Sequence, residues 1–173
     1  MPSSFQPPIR QDNASGKTHS QTTASNTAAA PSLVWMLMKE KGGGIISIAP
    51  GDTLGKAVEV LRDNRIGALA VTNERGELCG ILSERDIVRK LADTPGRTLP
   101  QKVQDIMVEK VVTCAPDDDL MSVLTKMRDG RFRHMPVVDD GALVGMVTIG
   151  DVVNYRLNEV EHEALQLKQL IVG

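Results

Sequence analysis

Arg131-Phe132-Arg133-His134-Met135-Pro136-Val137-Val138, continued by Gly145-Met146-Val147-Thr148-Ile149-Gly150-Asp151, is the stretch that decides the fold. It sets two guanidiniums and an imidazole at the mouth of an apolar strand, then returns a hydroxyl and a carboxylate at the start of a helix. Arginine and histidine suit phosphate oxygens through charge-assisted hydrogen bonds. A Thr-x-x-Asp pair on a first helical turn can accept from a ribose diol. Half of the stretch also occurs earlier in the chain in the same order. After a one-residue deletion in a turn, Gly76, Leu78, Gly80, Ser83 and Asp86 match Gly141, Leu143, Gly145, Thr148 and Asp151.

The match extends outward. Ile45-Ile46-Ser47-Ile48-Ala49-Pro50 aligns with Val111-Val112-Thr113-Cys114-Ala115-Pro116, Leu54 with Leu120, Arg62-Asp63 with Arg128-Asp129, and Val71 with Val137. Two copies at a period of roughly 66 residues are too few and too long for a solenoid, so they read as a duplicated α/β unit. Each copy has the order βαββα. Ile45 to Ile48 is a short strand stopped by Pro50, and Leu54, Ala57, Val58 and Leu61 form one helical stripe beginning near Asp52 or Thr53. Ala68 to Val71 and Leu78 to Leu82 are strands about the turn Asn73 to Gly76, and Ser83 opens a helix carrying Ile87, Val88 and Leu91. A unit of about 45 ordered residues buries too little surface to stand alone. The two are therefore expected to pack face to face about a pseudo-twofold, with equivalent clefts between them.

The rest of the chain divides around this pair. Residues 1–31 are rich in Ser, Thr, Gln, Asn, Ala and Pro with no apolar period, and read as a disordered tail, with a transit peptide as the alternative. Residues 32–95 hold the first repeat with a leading helix from Leu33 towards Lys41, capped by Ser32 and ended by Gly42-Gly43-Gly44. Residues 96–173 hold a linker with a short helix around Val103 to Met107, the second repeat, and a final helix to about Leu170. Along that helix Val153, Leu157, Val160, Ala164, Leu167 and Ile171 alternate steps of four and three, a 3.5-residue seam that implies a partner helix.

Composition narrows the function classes. With 173 residues and a net charge of -2, the chain has no long-range attraction for nucleic acid or anionic membrane, so a basic site must be local. Aromatics at 2% supply almost no stacking platforms for single strands. No run of eighteen apolar residues is present, and neither nucleic acid nor membrane is an expected partner. Cys79 and Cys114 are too few and too apolar in setting for a disulfide framework or a zinc site, which suggests a reducing compartment, the cytoplasm or an organellar matrix.

The duplicated unit, Arg-His-Met-Pro-Val (Arg133 to Val137), the opening strand Val112 to Pro116, and Gly-x-x-Ser/Thr-x-x-Asp at Gly80 to Asp86 and Gly145 to Asp151 resemble a tandem cystathionine-β-synthase (CBS) domain pair, or Bateman module. The similarity covers about Leu33 to Gly173 and is to the stand-alone two-CBS proteins. The resemblance implies a non-enzymatic regulatory module that requires no cofactor and binds AMP, ADP or ATP, with NAD or S-adenosylmethionine as further candidates. It implies ribose contacts from Ser83 and Asp86 in one cleft and from Thr148, Ile149 and Asp151 in the other. Backbone at Ser47 and Ile48, or at Thr113, Cys114 and Ala115, would border adenine. Arg133 and His134 match the family's phosphate positions; the first repeat has Gly67-Ala68 there, so its cleft would borrow Arg85, Arg131 or the same pair. The expectation is then a tighter site at Asp151 and a weaker one at Asp86. An imidazole that charges near pH 6.5 should strengthen phosphate binding as pH falls from about 8 towards that value.

Other readings stand beside these. Ser83-x-x-Asp86 and Thr148-x-x-Asp151 also suit plain helix capping, and the arginines suit a solvated edge. A nucleotide-binding sensor, dimeric through its CBS faces and final helix and read by a client protein, competes with a structural dimerisation module whose clefts are vestigial. An enzyme lacks parts: the sequence shows no nucleophile with a base, no Gly-rich phosphate loop and no metal cluster.

Overall fold

Proline and glycine punctuation gives the two repeats the same outline in the computed structural model, which describes residues 30–172. A leading helix α1 (Val34–Lys41) precedes β1 (Ser47–Ile48), α2 (Leu54–Asn64), β2 (Ala68–Thr72), β3 (Leu78–Ser83) and α3 (Glu84–Asp93). After a linker with one 3-10 turn at Val103–Asp105 come α4 (Leu120–Gly130), β4 (His134–Asp139), β5 (Ala142–Thr148) and α5 (Ile149–Val172). β1 lies parallel to β2, and β2 antiparallel to β3. In the second repeat Cys114 replaces the first strand with a single parallel bridge to Val137, beside the antiparallel pair β4-β5. The reading of the first 31 residues as a tail falls, but for Ala30 and Pro31, outside the described residues.

The duplication reaches into backbone detail. Thr53 accepts from the Lys56 N–H and Asp119 from the Ser122 N–H, so each long helix starts on a side-chain cap. Both helices end on an arginine in the left-handed region, Arg65 at φ 54° and Arg131 at φ 57°. Register shifts fall at Val71/Thr72 and at Val137/Val138, the same place in each sheet. A bulge that recurs in register belongs to the repeat's design.

Two apolar cores result, and chain order does not assign them simply. The first holds Leu54, Leu61, Leu69, Val71, Leu82 and, from the linker that follows it, Val103. The second holds Leu120, Val123, Met127, Met135 and Val147, with Val34 and Leu37 from the leading helix. Backbone bonds fix the exchange: Leu54 N–H to the Gln101 carbonyl at 2.8 Å, and Leu120 N–H to the Ser32 carbonyl at 2.9 Å. Sequence order therefore groups α1 with the first repeat, while packing puts it in the second. Full burial of a Leu or Val contributes about 1.5–3 kcal/mol, so each core depends on its closing segment.

Glycine makes the exchange possible. A Cβ on Gly80 would stand 2.8 Å from Met107 Sδ and 3.0 Å from the Val108 carbonyl, and one on Gly145 would stand 2.5 Å from Met38 Cε. The motif glycine of each repeat thus admits the methionine of the segment that closes it.

Several details correct the sequence reading. Ser32 does not cap α1: its hydroxyl donates to Glu159 Oε1 at 2.5 Å, tying α1 to α5, and Leu33 takes the cap position. Val58, whose spacing put it in the buried stripe of α2, is exposed, since only Leu54, Ala57 and Leu61 of that stripe are buried; on α3 Ile87 is buried while Val88 and Leu91 are exposed. Both cysteines are free, and burial pushes the Cys114 thiol up to about 11, so it serves as a small apolar side chain.

Candidate functional site

The chain crosses between the two halves at Gly42 to Ile46 and again at Val108 to Val112. The second crossing is pinned by reciprocal bonds between Ile81 and Val108 of 3.0 and 2.9 Å. It forms one wall of a cleft of about 880 Å³ between the repeats, a size suited to a nucleotide. The opposite walls are the start of α3 with Ser83 and Asp86, and the mouth of β4 from Arg131 to His134. Thr148, Ile149 and Gly150 close the end, because His134 pairs with Thr148 across the β4-β5 ladder.

Of the sequence candidates, this cleft gathers Ser83, Arg85, Asp86, Arg133, His134, Thr148 and Ile149. Asp151, Ser47, Ile48, Thr113, Cys114 and Ala115 are not on its walls. The Cys114 N–H and carbonyl are taken up by the Pro136 carbonyl and the Val138 N–H at 3.0 and 2.8 Å, and Ile48 is buried. The backbone that borders this cleft lies upstream, at Val108 and Lys110 to Val112.

Charge is concentrated here. Arg85, Arg89, Lys110, Arg131 and Arg133 line the cleft against only two acids, Glu84 and Asp86. Arg85 reaches across the repeats, its Nη1 donating to the Arg131 carbonyl at 3.4 Å. The first turns of α3 and α5 also border the space, and helix N-termini favour anions. Arg89 and Lys110 were missed in the sequence. Arg89 had a signal, since it lies one turn beyond Arg85 on the same helix face; Lys110 had none.

The two carboxylates of the repeated motif stand differently. Ser83 donates to Asp86 Oδ2 from its N–H at 3.1 Å and its hydroxyl at 2.5 Å. Thr148 donates its N–H to Asp151 Oδ2 at 2.9 Å, and its Oγ1 accepts from the Asp151 N–H at 3.0 Å. Both pairs cap their helices, so the plain reading holds whatever else they do. Asp151 Oδ2 also takes the Lys41 ammonium at 2.7 Å, from the end of α1. Burial raises the Asp151 pKa, but Lys41 and the Thr148 bonds outweigh it and hold the carboxyl below its ordinary value. Asp86 has no ion pair among the described residues.

Gly67 accounts for the cation that the first repeat lacks. A Cβ there would stand 3.2 Å from His134 Cε1 and 3.3 Å from Nε2. The position aligned with Arg133 is glycine because the second repeat's imidazole occupies the space. Burial lowers the His134 pKa, against the pull of Asp151 and Glu84 and with the push of Lys41 and Arg133. His134 therefore sits between the two motif corners.

A protein-family model described as the CBS domain matches residues 38–93 and 103–158. The chain belongs to the CBS-domain family. The mitochondrial CBS domain-containing protein CBSX3 of Arabidopsis thaliana is 36% identical over 145 residues, 79% of this chain and 70% of that one. The CBS-domain-containing protein ATU1752 from Agrobacterium tumefaciens superposes with a TM-score of 0.70 at 36% identity, covering 72% of this chain and 99% of that one. The CBS domain pair of protein MJ0100, solved in complex with 5'-methylthioadenosine and S-adenosyl-L-methionine, gives 0.66 at 26% identity, covering 75% and 98%. With these neighbours the fold is a CBS pair: two α/β repeats followed by a long C-terminal helix. No described helix is long and apolar enough to cross a membrane.

Proposed function

We propose that this CBS pair is a non-enzymatic sensor that binds a phosphate-bearing adenine nucleotide in the Asp86 cleft and passes the resulting change in shape or rigidity to a client protein. The observation that carries the reading is the set of five cations facing one capping carboxylate across 880 Å³. Asp86 would accept from the ribose diol while Arg131 and Arg133, with Arg85, Arg89 and Lys110 around them, take the phosphates. This reverses the ranking expected from chain order, which gave the cations to Asp151. The ligands of the MJ0100 pair support the adenosine half of the reading. The cations favour AMP, ADP, ATP or NAD over S-adenosylmethionine, whose sulfonium would meet like charge. The seam of α5 and the exposed apolar faces of α2 and α3 support a homodimer. Cytoplasm or organellar matrix both suit the two free thiols, and CBSX3 carries the mitochondrial designation in its own name.

Melting shifts of the full chain with ATP, AMP, adenosine and S-adenosylmethionine, beside a phosphate-release assay, test the reading. ATP should give the largest shift, without turnover. If none of the four shifts the melt, the structural dimerisation module with vestigial clefts is the better account. Release of phosphate would make the chain an enzyme.

A further inference from the structure

We propose that α5 pairs in parallel, in register, with α5 of a second copy of this chain. The inference rests on reading α5 as a self-association helix and goes beyond it to the orientation, the register and the charge pairs. Val153, Leu157, Val160, Leu167 and Ile171 are between 41% and 83% exposed, and Ala164 is exposed too, so the 3.5-residue seam has no partner among the described residues. Leu157, Ala164 and Ile171 take one core position of the heptad, and Val153, Val160 and Leu167 the other.

Charge decides the direction. The flanking positions on one side of the seam are Arg156 and Glu163, and on the other Glu161 and Lys168. In a parallel in-register pair each residue of the first set meets the residue five further along the partner. Arg156 then faces Glu161, and Glu163 faces Lys168, so that each contact made across the twofold is attractive. In an antiparallel pair centred on the seam, like positions meet instead. Glu163 would face Glu163 and Glu161 would face Glu161, while Arg156 would find Leu170 and Lys168 would find Asn154. The parallel pair gains opposite charges and the antiparallel one only repulsions. Because α5 starts at the cleft, at Ile149, parallel pairing also brings the nucleotide clefts of both copies to the same end of the dimer.

Cross-linking on the full chain, in a Cys79→Ser background that leaves only the buried Cys114, tests the arrangement alongside light scattering. Leu157→Cys and Leu167→Cys should each form a disulfide with itself across the dimer. In the antiparallel alternative identical residues lie roughly 15 Å apart, and only a mixture of the two variants would cross-link. Heterotypic bonds alone, or a dimer mass with no bond at all, would overturn the arrangement while leaving self-association standing; a monomer mass for the unmodified chain would remove both. The charge pairs give a second test that leaves the seam intact. Glu163→Lys should weaken association roughly tenfold, and Glu163→Lys with Lys168→Glu should restore it. Residues five apart do not face each other on one helix, so that rescue can come only from a partner. Failure of the double variant to recover would overturn the parallel register.

Discussion

Ser83-x-x-Asp86 and Thr148-x-x-Asp151 have the same letters, the same spacing and the same place at a helix start, yet their surroundings differ. Asp86 looks across the cleft at Arg131 and Arg133, with no ion pair of its own among the described residues. Asp151 is held by Lys41 at 2.7 Å and lies off the cleft wall. The motif itself supplies only a cap and a free carboxylate oxygen. What would make one copy a phosphate-binding site, on the proposed reading, is the cations that the other repeat brings to its cleft. A duplicated fold offers two corners for the same backbone, and a few side chains outside the motif decide how each is used.

The largest effect should separate the two corners directly. A carboxylate taking hydrogen bonds from a desolvated diol, or a guanidinium on phosphate, contributes about 1.5–3 kcal/mol per contact. Asp86→Ala and Arg133→Ala should therefore each weaken ATP binding by about ten- to a hundredfold in calorimetry, with Asp151→Ala within about threefold of the unmodified chain. Losses of the same size from Asp86→Ala and Asp151→Ala would erase the difference on which the comparison depends. The opposite order would return the main site to Asp151.

Gly67→Val comes next and probes how the corners are joined. Its Cβ would meet the His134 ring at 3.2–3.3 Å, closer than ordinary van der Waals contact, and its two methyls need more room still. Overfilling of this kind costs about 1–3 kcal/mol. A lowered chemical-denaturation midpoint with weakened ATP binding is expected. Gly67→Val with His134→Gly should recover the stability but not the affinity. A single variant as stable as the original chain would show that the two side chains do not compete for the space.

Lys41→Met isolates the contact that only the Asp151 corner possesses. Lys41 is 41% exposed and Asp151 25%, and an exposed pair contributes about 0–1 kcal/mol. Melting should drop by little, and ATP affinity at the Asp86 cleft should hold. Adenosine binding at the Asp151 corner, if measurable, should rise up to about fivefold once the ammonium no longer occupies the carboxylate. A fall would mean that Lys41 serves the ligand.

How much of this was legible depends on what each residue signals by itself. The repeat was legible because identical letters recur in register, and with it came the strands, the helices and the capping pairs. The exchange of closing segments was not, because chain order cannot say which core Val34 or Val103 fills. Its only trace is the motif glycines, Gly80 and Gly145, whose need for a close neighbour names no neighbour. The left-handed Arg65 and Arg131 carry no glycine or asparagine to announce them. Arg85, Arg131 and Arg133 were legible as candidate phosphate ligands, but not the cleft that they line together. That cleft follows from how the two halves meet, with His134 lodged against Gly67.

The smallest expected effect concerns that imidazole and carries its own sign. Burial lowers the His134 pKa below its ordinary value, so the folded chain holds it neutral near pH 7. Its contribution to stability is complete above the unfolded value of about 6.5 and is lost as pH falls below it, because the unfolded chain then binds the proton more readily. His134→Asn should remove that acid-side loss, narrowing the change in melting temperature between pH 7.5 and 5.5. Phosphate beside the ring would raise its pKa, so nucleotide binding takes up a proton and strengthens on acidification. The lowered starting value extends this window to the acid side of 6.5, beyond the interval of about 8 to 6.5 expected for an unperturbed ring. There it runs against protonation of the phosphate itself near pH 6. The raw affinity should therefore change by only about two- to threefold, and the informative quantity is the ratio of the unmodified chain to His134→Asn, in which the phosphate's titration cancels. A ratio that grows from pH 7.5 to 5.8 places the imidazole on the phosphate, at the junction of the two corners. A flat ratio leaves His134 as the wedge against Gly67 and the arginines as the phosphate ligands.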